Sequence, residues 1–458
     1  MSRAASVAVD ELLERQKVGK FLIRTLVIGT IVQMLDGYDL IAIGSIGPNL
    51  AEMLHIGRAQ LGPIFGASFI GATLGAFLFG TLGDRYGRKS MTIVCTLIFG
   101  VFTLATVWAT TFPALVALRF LTGLGIGGVI PTTVALLCEY APLRVRGIVV
   151  TTMACGLSLG AAFTGIVSAQ LVPVMGYQAI FYVGGVLPII VVPLLLVWLP
   201  ESARFLVLKK RPAARVAAIL REVDAKLSFD PATNFTVREA NLTGFPVRRL
   251  FDRGWGVATL LLWITIFMNL LCITFFSQWM PTLYNNYGLD MGSAITAAAM
   301  FQVGGVLGAV GLGRLIDKFG FFSVLGVAYV AGALFAVLLV SFGPSRPVMI
   351  LLSFMTGLCI AGAQNAANAM SGAFYPTLVR STGSGWAIGV GRIGGIGGPF
   401  LGGLLLGSHW SVPAIFFISA VPLLCAGVAV LLLGRRARRS PEIQAARQLA
   451  GSAPAPAH

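Results

Sequence analysis

The 458-residue sequence predicts an all-α membrane protein, with twelve transmembrane helices in two pseudo-symmetric six-helix bundles. Composition, the placement of positive charge and an internal duplication point to it. Hydrophobic residues make up 57% of the chain and charged residues 11%, with a mean hydropathy of +0.87. Soluble globular chains carry roughly 25% charged residues, so most of this chain cannot face water. It also has too much apolar surface to remain disordered. Its apolar runs are continuous rather than alternating, which argues against a transmembrane β-barrel.

Taken in order, residues 1–21 are charged and mildly amphipathic. The apolar run that follows is too long for a signal-peptide core and lacks a clear small-residue cleavage site, so this end reads as a retained inner-side terminus. Six spans follow at 22–50, 60–82, 91–110, 113–139, 147–172 and 177–199, forming an N-terminal bundle over 22–199. Each meets the length of about 20 residues that a helix needs to cross a bilayer. Residues 200–254 form a polar linker. Six more spans, 255–284, 292–312, 321–342, 347–374, 383–407 and 412–434, form a C-terminal bundle over 255–434, and 435–458 is a basic tail.

The net charge is +16. In a soluble chain this would raise nucleic-acid binding, but here the charge sits where topology requires it. Eleven of the 33 Lys and Arg lie between Arg204 and Arg253, and four lie in the run Arg435 to Arg439. Others follow spans 2, 4, 8 and 10 or precede span 1. The opposite loops hold only Arg58 and Arg346. This is the positive-inside pattern, which places both termini and the linker in the cytoplasm and accounts for the charge without nucleic acid. The six cysteines are scattered through apolar runs and form no CxxC pair, so they read as small buried hydrophobes rather than metal ligands.

The halves repeat. Gly80-Thr-Leu-Gly-Asp84-Arg85-Tyr-Gly87-Arg88-Lys89 follows span 2, and Gly313-Arg-Leu-Ile-Asp317-Lys318-Phe-Gly320 follows span 8, with the aspartates 233 positions apart. Pro142-Leu-Arg-Val-Arg146 and Pro376-Thr-Leu-Val-Arg380 match at an offset of 234. Such duplication is the mark of a transporter with a midplane site.

These residues resemble a known family. The loop Gly80 to Lys89 and its degenerate copy are similar to the signature loop of the major facilitator superfamily, and Arg119-Phe-Leu-Thr-Gly123-Leu-Gly125-Ile-Gly127 is similar to that superfamily's Arg and glycine motif. Pro200-Glu201-Ser202-Ala-Arg204 resembles the motif of its proton-coupled sugar and metabolite branches. Asp36-Gly37-Tyr38-Asp39 in span 1 resembles the aromatic acid:proton symporters of bacterial inner membranes. The resemblance covers about residues 20–435. It implies the major facilitator fold and alternating access, with Arg119 holding Asp36 or Asp39 ionised until a proton arrives. It also implies that the Asp84 loop locks the cytoplasmic face in the outward-open state.

The residues support a compatible reading on their own. Asp36 and Asp39 are three positions apart in an apolar run, which puts them on one helix face. A carboxylate within the bilayer costs at least about 2.5–3.5 kcal/mol on insertion scales, so it faces the protein interior or water, usually for a function. Two close carboxylates resist double ionisation, which suits a site that takes up and returns a proton. Arg392, in Gly389-Val-Gly391-Arg392-Ile-Gly394, lies in a string matching GxGxxG. That string is no nucleotide site, because it lies in an apolar span with no strand before it. The C-terminal spans as drawn contain no Asp or Glu, so Arg392 is expected to bind a substrate carboxylate. The swapped assignment stays open, with Arg119 on substrate and Arg392 on Asp39. Tyr38, Trp279, Trp386, Gln278 and Asn365 are expected to contribute aromatic walls or hydrogen bonds. Gly80, Asp84, Arg85, Gly87, Arg88, Glu139, Arg146, Asp317 and Arg380 are expected to form the gating loops.

The expected function is proton-coupled uptake of an aromatic carboxylate across the inner membrane, by a monomer without a cofactor. Another organic anion is the alternative. A drug:proton antiporter fits less well, because its GxxxGPxxGG element is absent from span 5. No nucleophile–base or metal cluster marks an enzyme.

Overall fold

A computed structural model describes residues 6–224, 227, 229, 233–237, 250–251, 255–375 and 380–439; the side chains of Ala169, Arg380 and Ser381 lie outside the description. Twelve of its helices are long and apolar enough to cross a membrane. They are α2 (Lys20–Ser45), α4 (Leu61–Tyr86), α5 (Arg88–Ala105), α6 (Phe112–Tyr140), α7 (Leu143–Met175), α8 (Gln178–Trp198), α11 (Trp255–Tyr287), α12 (Met291–Phe319), α13 (Phe321–Leu338), α14 (Arg346–Phe374), α15 (Arg380–Gly407) and α16 (Val412–Arg439). β1 (Ser6–Ala8) and α1 (Val9–Arg15) precede them, and α3 (Gly47–Met53), α9 (Ala203–Leu208), α10 (Ala213–Val223) and β2 (Asn234–Thr236) lie between them.

Several boundaries differ from the sequence reading. The expected first span, 22–50, stops at Ser45 because Pro48 starts a new short helix, α3. Proline is tolerated in the first turn of a helix and disfavoured in its interior. The last helix continues through Arg435, Arg436, Arg438 and Arg439, where cations complement the carbonyl end of the helix dipole.

The chain packs into two compact units. One holds Met1–Ala42, Ala67–Thr164 and Val174–Leu242; the other holds Ile43–Gly66, Gly165–Pro173 and Thr243–His458. This division differs from a single cut at the linker, because Ile43–Gly66 and Gly165–Pro173 group with the C-terminal helices. Within that second unit, Gly44 packs on Gln278, and Gly62 packs on Pro399 and Gly403.

The duplication is written into the backbone. Helices α5 and α13 both have 18 residues, and α6 and α14 both have 29. Gly87 and Gly320, the matching residues of the two signature loops, both have positive φ, at 103° and 78°. Close helix crossings match as well. A Cβ on Gly71 would lie 2.1 Å from the Phe120 carbonyl oxygen, and one on Gly304 would lie 2.1 Å from that of Phe354. Gly123 meets the Ser68 carbonyl at 2.1 Å, and its counterpart Gly357 meets that of Phe301 at 1.9 Å. Each unit thus repeats one glycine-lined crossing, α4 on α6 and α12 on α14. Small residues let membrane helices approach this closely, where packing rather than water exclusion drives association.

The N-terminal segment and the linker join in one polar-side layer of the first unit. β1 pairs in parallel with β2, Ser6 opposite Asn234 and Ala8 opposite Thr236. Val9 and Leu13 of α1 are buried in the same cluster as Val216, Ala217 and Leu220 of α10 and Phe235 of β2.

The crossings yield a test. Gly123→Ala places its methyl group against fixed backbone and is expected to destabilise the protein by about 1–3 kcal/mol. Gly311→Ala, with nothing described within 4 Å, is expected to leave the thermal unfolding midpoint in detergent unchanged or slightly raised.

Candidate functional site

Helices α2, α5, α6 and α8 of the first unit meet around one buried ion pair. α2 approaches α7 through Gly37 and Gly160, whose Cβ positions would fall 1.9 Å from the Leu157 oxygen and 1.8 Å from the Met34 oxygen. That close fit leaves Asp36 and Asp39 in the interior, 0% and 2% exposed. Arg119 of α6 is fully buried, and its Nη1 lies 3.3 Å from Asp39 Oδ2.

Hydroxyl groups complete the pair. Thr103 of α5 donates to Asp39 Oδ1 at 2.7 Å. Arg119 Nη2 donates to Thr106 Oγ1 at 2.7 Å and to Thr122 Oγ1 at 3.2 Å. The guanidinium also sits over the Phe181 ring, 5.3 Å from its centroid. A buried ion pair repays its desolvation only with good geometry and further hydrogen bonds; the three threonines supply those bonds. The sequence reading leaves the choice between Asp36 and Asp39 open; in the structure Arg119 reaches Asp39. It assigns no role to Thr103, Thr106, Thr122 or Phe181. A threonine in an apolar run carries little signal, because its hydroxyl can bond back to its own helix, as those of Thr92 and Thr96 do here.

The expected wall and binding residues are placed as follows. Tyr38 is buried, and its hydroxyl donates to the Ile180 carbonyl at 3.0 Å. Trp279 is buried with its Nε1 donating to Pro399 O at 3.0 Å and its ring edge-on to Phe65. Gln278 is buried beside Gly44. Trp386 is 47% exposed and stacks on Trp263. Arg392 of α15 and Asn365 of α14 are half-buried.

The loop between α4 and α5 forms a second polar centre in the first unit. Arg88 bonds Glu139 and lies 3.5 Å from Asp84. Ser202, which caps α9, also donates to Glu139. Glu201 Oε1 accepts from the Lys89 backbone N–H at 3.1 Å and from that of Ser202 at 2.9 Å. A carboxylate thus sits at the N-terminus of α5, where the helix dipole favours it. Gly87 is needed twice over: its φ is positive, and a Cβ would lie 2.4 Å from Glu201 Oε2. The same is not true of Gly80, which has only Pro131 Cβ nearby, at 4.0 Å. Arg144 and Arg146 bond backbone carbonyls, of Gln16 and Ala141 respectively, while Glu139 takes Arg88 and Ser202. Arg85 and Asp317 are exposed. Arg380 opens α15, with its side chain outside the described residues. Glu201 and Ser202 were visible as a motif, but their partners 50 or more positions away were not.

The sequence profile of the Major Facilitator Superfamily matches residues 29–343 and 262–457. The chain is 37% identical over 433 residues to the 4-hydroxybenzoate transporter of Pseudomonas putida, covering 94% of this chain and 96% of that one. It is 34% identical over 443 residues to the gallate transporter of Pseudomonas putida, covering 96% and 98%. Among solved structures, the xylose transporter of E. coli aligns with a TM-score of 0.72 at 16% identity, over 93% of this chain and 99% of that one.

The ion pair predicts non-additive stability. Asp39→Leu leaves a buried guanidinium without its carboxylate and is expected to cost about 3–5 kcal/mol. Arg119→Leu is expected to cost a similar amount, and the double variant clearly less than the sum. Thermal unfolding of the four purified proteins checks this, and simple additivity would remove the pair as a structural constraint.

Proposed function

The chain belongs to the major facilitator superfamily, and from that membership we propose that it carries an aromatic carboxylate inward with protons across the inner membrane. As a member of that superfamily it is a multi-pass membrane transporter and not an enzyme. The observation that carries the substrate reading is similarity over nearly the whole chain to transporters of 4-hydroxybenzoate and gallate. Both compounds are aromatic rings bearing a carboxylate and at least one hydroxyl.

The chemistry of the buried residues supports the rest. A proton on Asp39 would remove the charge that holds Arg119, while Thr106, Thr122 and the Phe181 ring keep the guanidinium in place. Asp36, buried one helical turn before Asp39, is assigned a share in that proton exchange. Arg392 is a half-buried cation near the middle of a span, and guanidinium is suited to grip a carboxylate with two parallel hydrogen bonds. We assign it to the substrate, with Arg119 kept on the proton-coupling side. The cluster of Asp84, Arg88, Glu139, Glu201 and Ser202 is assigned to gating on the cytoplasmic face.

Cells expressing the protein are expected to accumulate labelled 4-hydroxybenzoate, and a protonophore to abolish the accumulation. Asp36→Asn and Asp39→Asn are expected to remove concentrative uptake while protein remains in the membrane. Arg392→Lys is expected to weaken binding at least tenfold although charge is kept. Unchanged affinity in Arg392→Lys together with lost affinity in Arg119→Lys would reverse the two arginine assignments.

The charge bias supports a topology with both termini and the linker in the cytoplasm. A cysteine introduced at position 230 should therefore react with an impermeant maleimide only after the cells are permeabilised. Labelling of intact cells would invert the topology.

A further inference from the structure

A chain of amide side chains crosses the second unit. Asn269 of α11 donates through Nδ2 to Gln364 Oε1 of α14 at 2.7 Å, and Gln364 Nε2 donates to Asn368 Oδ1 at 3.0 Å. Asn269 is fully buried, and its Oδ1 has no hydrogen-bond partner among the described residues. An unpaired buried amide oxygen is costly, and more so inside a membrane span where bulk water cannot reach it. The other end of the chain is less enclosed, since Gln364, Asn365 and Asn368 are half-buried on α14. Polar side chains at that depth face the protein interior or a wet cavity, not hydrocarbon.

Arg392 lies at the same level of the unit. Gly391, Gly394 and Gly395 of α15 pack against Ile266, Phe267 and Leu270 of α11. The arginine between those glycines is therefore level with Asn269, which sits within that stretch of α11. One unit thus presents, at a common depth, a guanidinium on α15 and an amide lacking one partner on α11, the helix that α15 packs against.

We propose that the Asn269–Gln364–Asn368 chain receives a ring hydroxyl of the substrate and selects hydroxylated over unsubstituted aromatic carboxylates. The proposal rests on the aromatic-carboxylate reading above, with Arg392 on the carboxylate. A phenolic hydroxyl donates to the free Asn269 oxygen. A carboxylate cannot donate, and neither can a ring carbon. A hydroxyl also fits if all three amides are turned round, because it accepts as well as donates. A site built around such a bond discriminates strongly against the analogue that lacks the hydroxyl, since its own polar atom is then left unpaired.

The test is binding of 4-hydroxybenzoate and benzoate to purified full-length protein. The native protein is expected to prefer 4-hydroxybenzoate at least tenfold, and Asn269→Leu to reduce that preference at least tenfold. Asn368→Leu, at the half-buried end of the chain, gives a second readout should Asn269→Leu fail to fold, with a loss of preference of at least threefold. Equal affinity of the native protein for both acids overturns the hydroxyl assignment while leaving the aromatic-carboxylate reading intact. An unchanged ratio in the variants also overturns it, including the case where both affinities fall together, as a purely structural role would cause. Binding of neither acid removes the aromatic-carboxylate reading and this proposal with it.

Discussion

A guanidinium buried inside a membrane-spanning helix must be satisfied from within the protein, and the first unit is organised around that requirement. Arg119 is fully enclosed and meets Asp39, Thr106, Thr122 and the face of Phe181. These partners come from α2, from the turn after α5, from α6 itself and from α8. Moving any of those helices by an ångström or two would strip a partner from the charge. The glycines at which α2 and α7 touch hold Asp39 to that position, so backbone packing and electrostatics constrain the same geometry.

The two units share a scaffold and differ in chemistry. The α4–α6 crossing and the α12–α14 crossing use equivalent glycines at nearly equal distances, and both signature loops turn through a glycine with positive φ. The buried Arg119–Asp39 pair belongs to the first unit. At the corresponding depth the second unit carries neutral amides, with Arg392 as its cation. The Asp84 loop engages Arg88 and Glu139, while Asp317 in the degenerate copy is exposed. A duplicated framework thus leaves each half free to specialise, since the glycine crossings do not depend on the charged residues.

The polar side of the first unit shows how distant segments come to cooperate. Glu201 caps the start of α5, Ser202 bonds Glu139, and the Tyr140 hydroxyl bonds the Glu201 carbonyl. The N-terminal helix adds to this layer, since Glu14 accepts from the Leu143 backbone N–H at 2.8 Å. Linker and terminus, which look like connecting segments in the sequence, here clamp the ends of the membrane helices.

The sequence by itself determined the number of spans, the duplication and the class of protein. Those features depend on local apolar runs, on charge sorted by side, and on short motifs at a fixed offset, all readable along one dimension. It also marked Asp36, Asp39, Arg119 and Arg392, because a charge inside an apolar run is conspicuous wherever it points. Tertiary structure alone decided that Arg119 reaches Asp39, that threonine hydroxyls complete the pair, and that Asn269 and Gln364 join across two helices. It also decided that Tyr38 and Trp279 spend their polar atoms on backbone carbonyls, and that Trp386 stacks outward on Trp263. The reason is geometric: which side chains meet across a membrane bundle depends on helix rotation and crossing, and those are set by glycine contacts between residues far apart in the sequence.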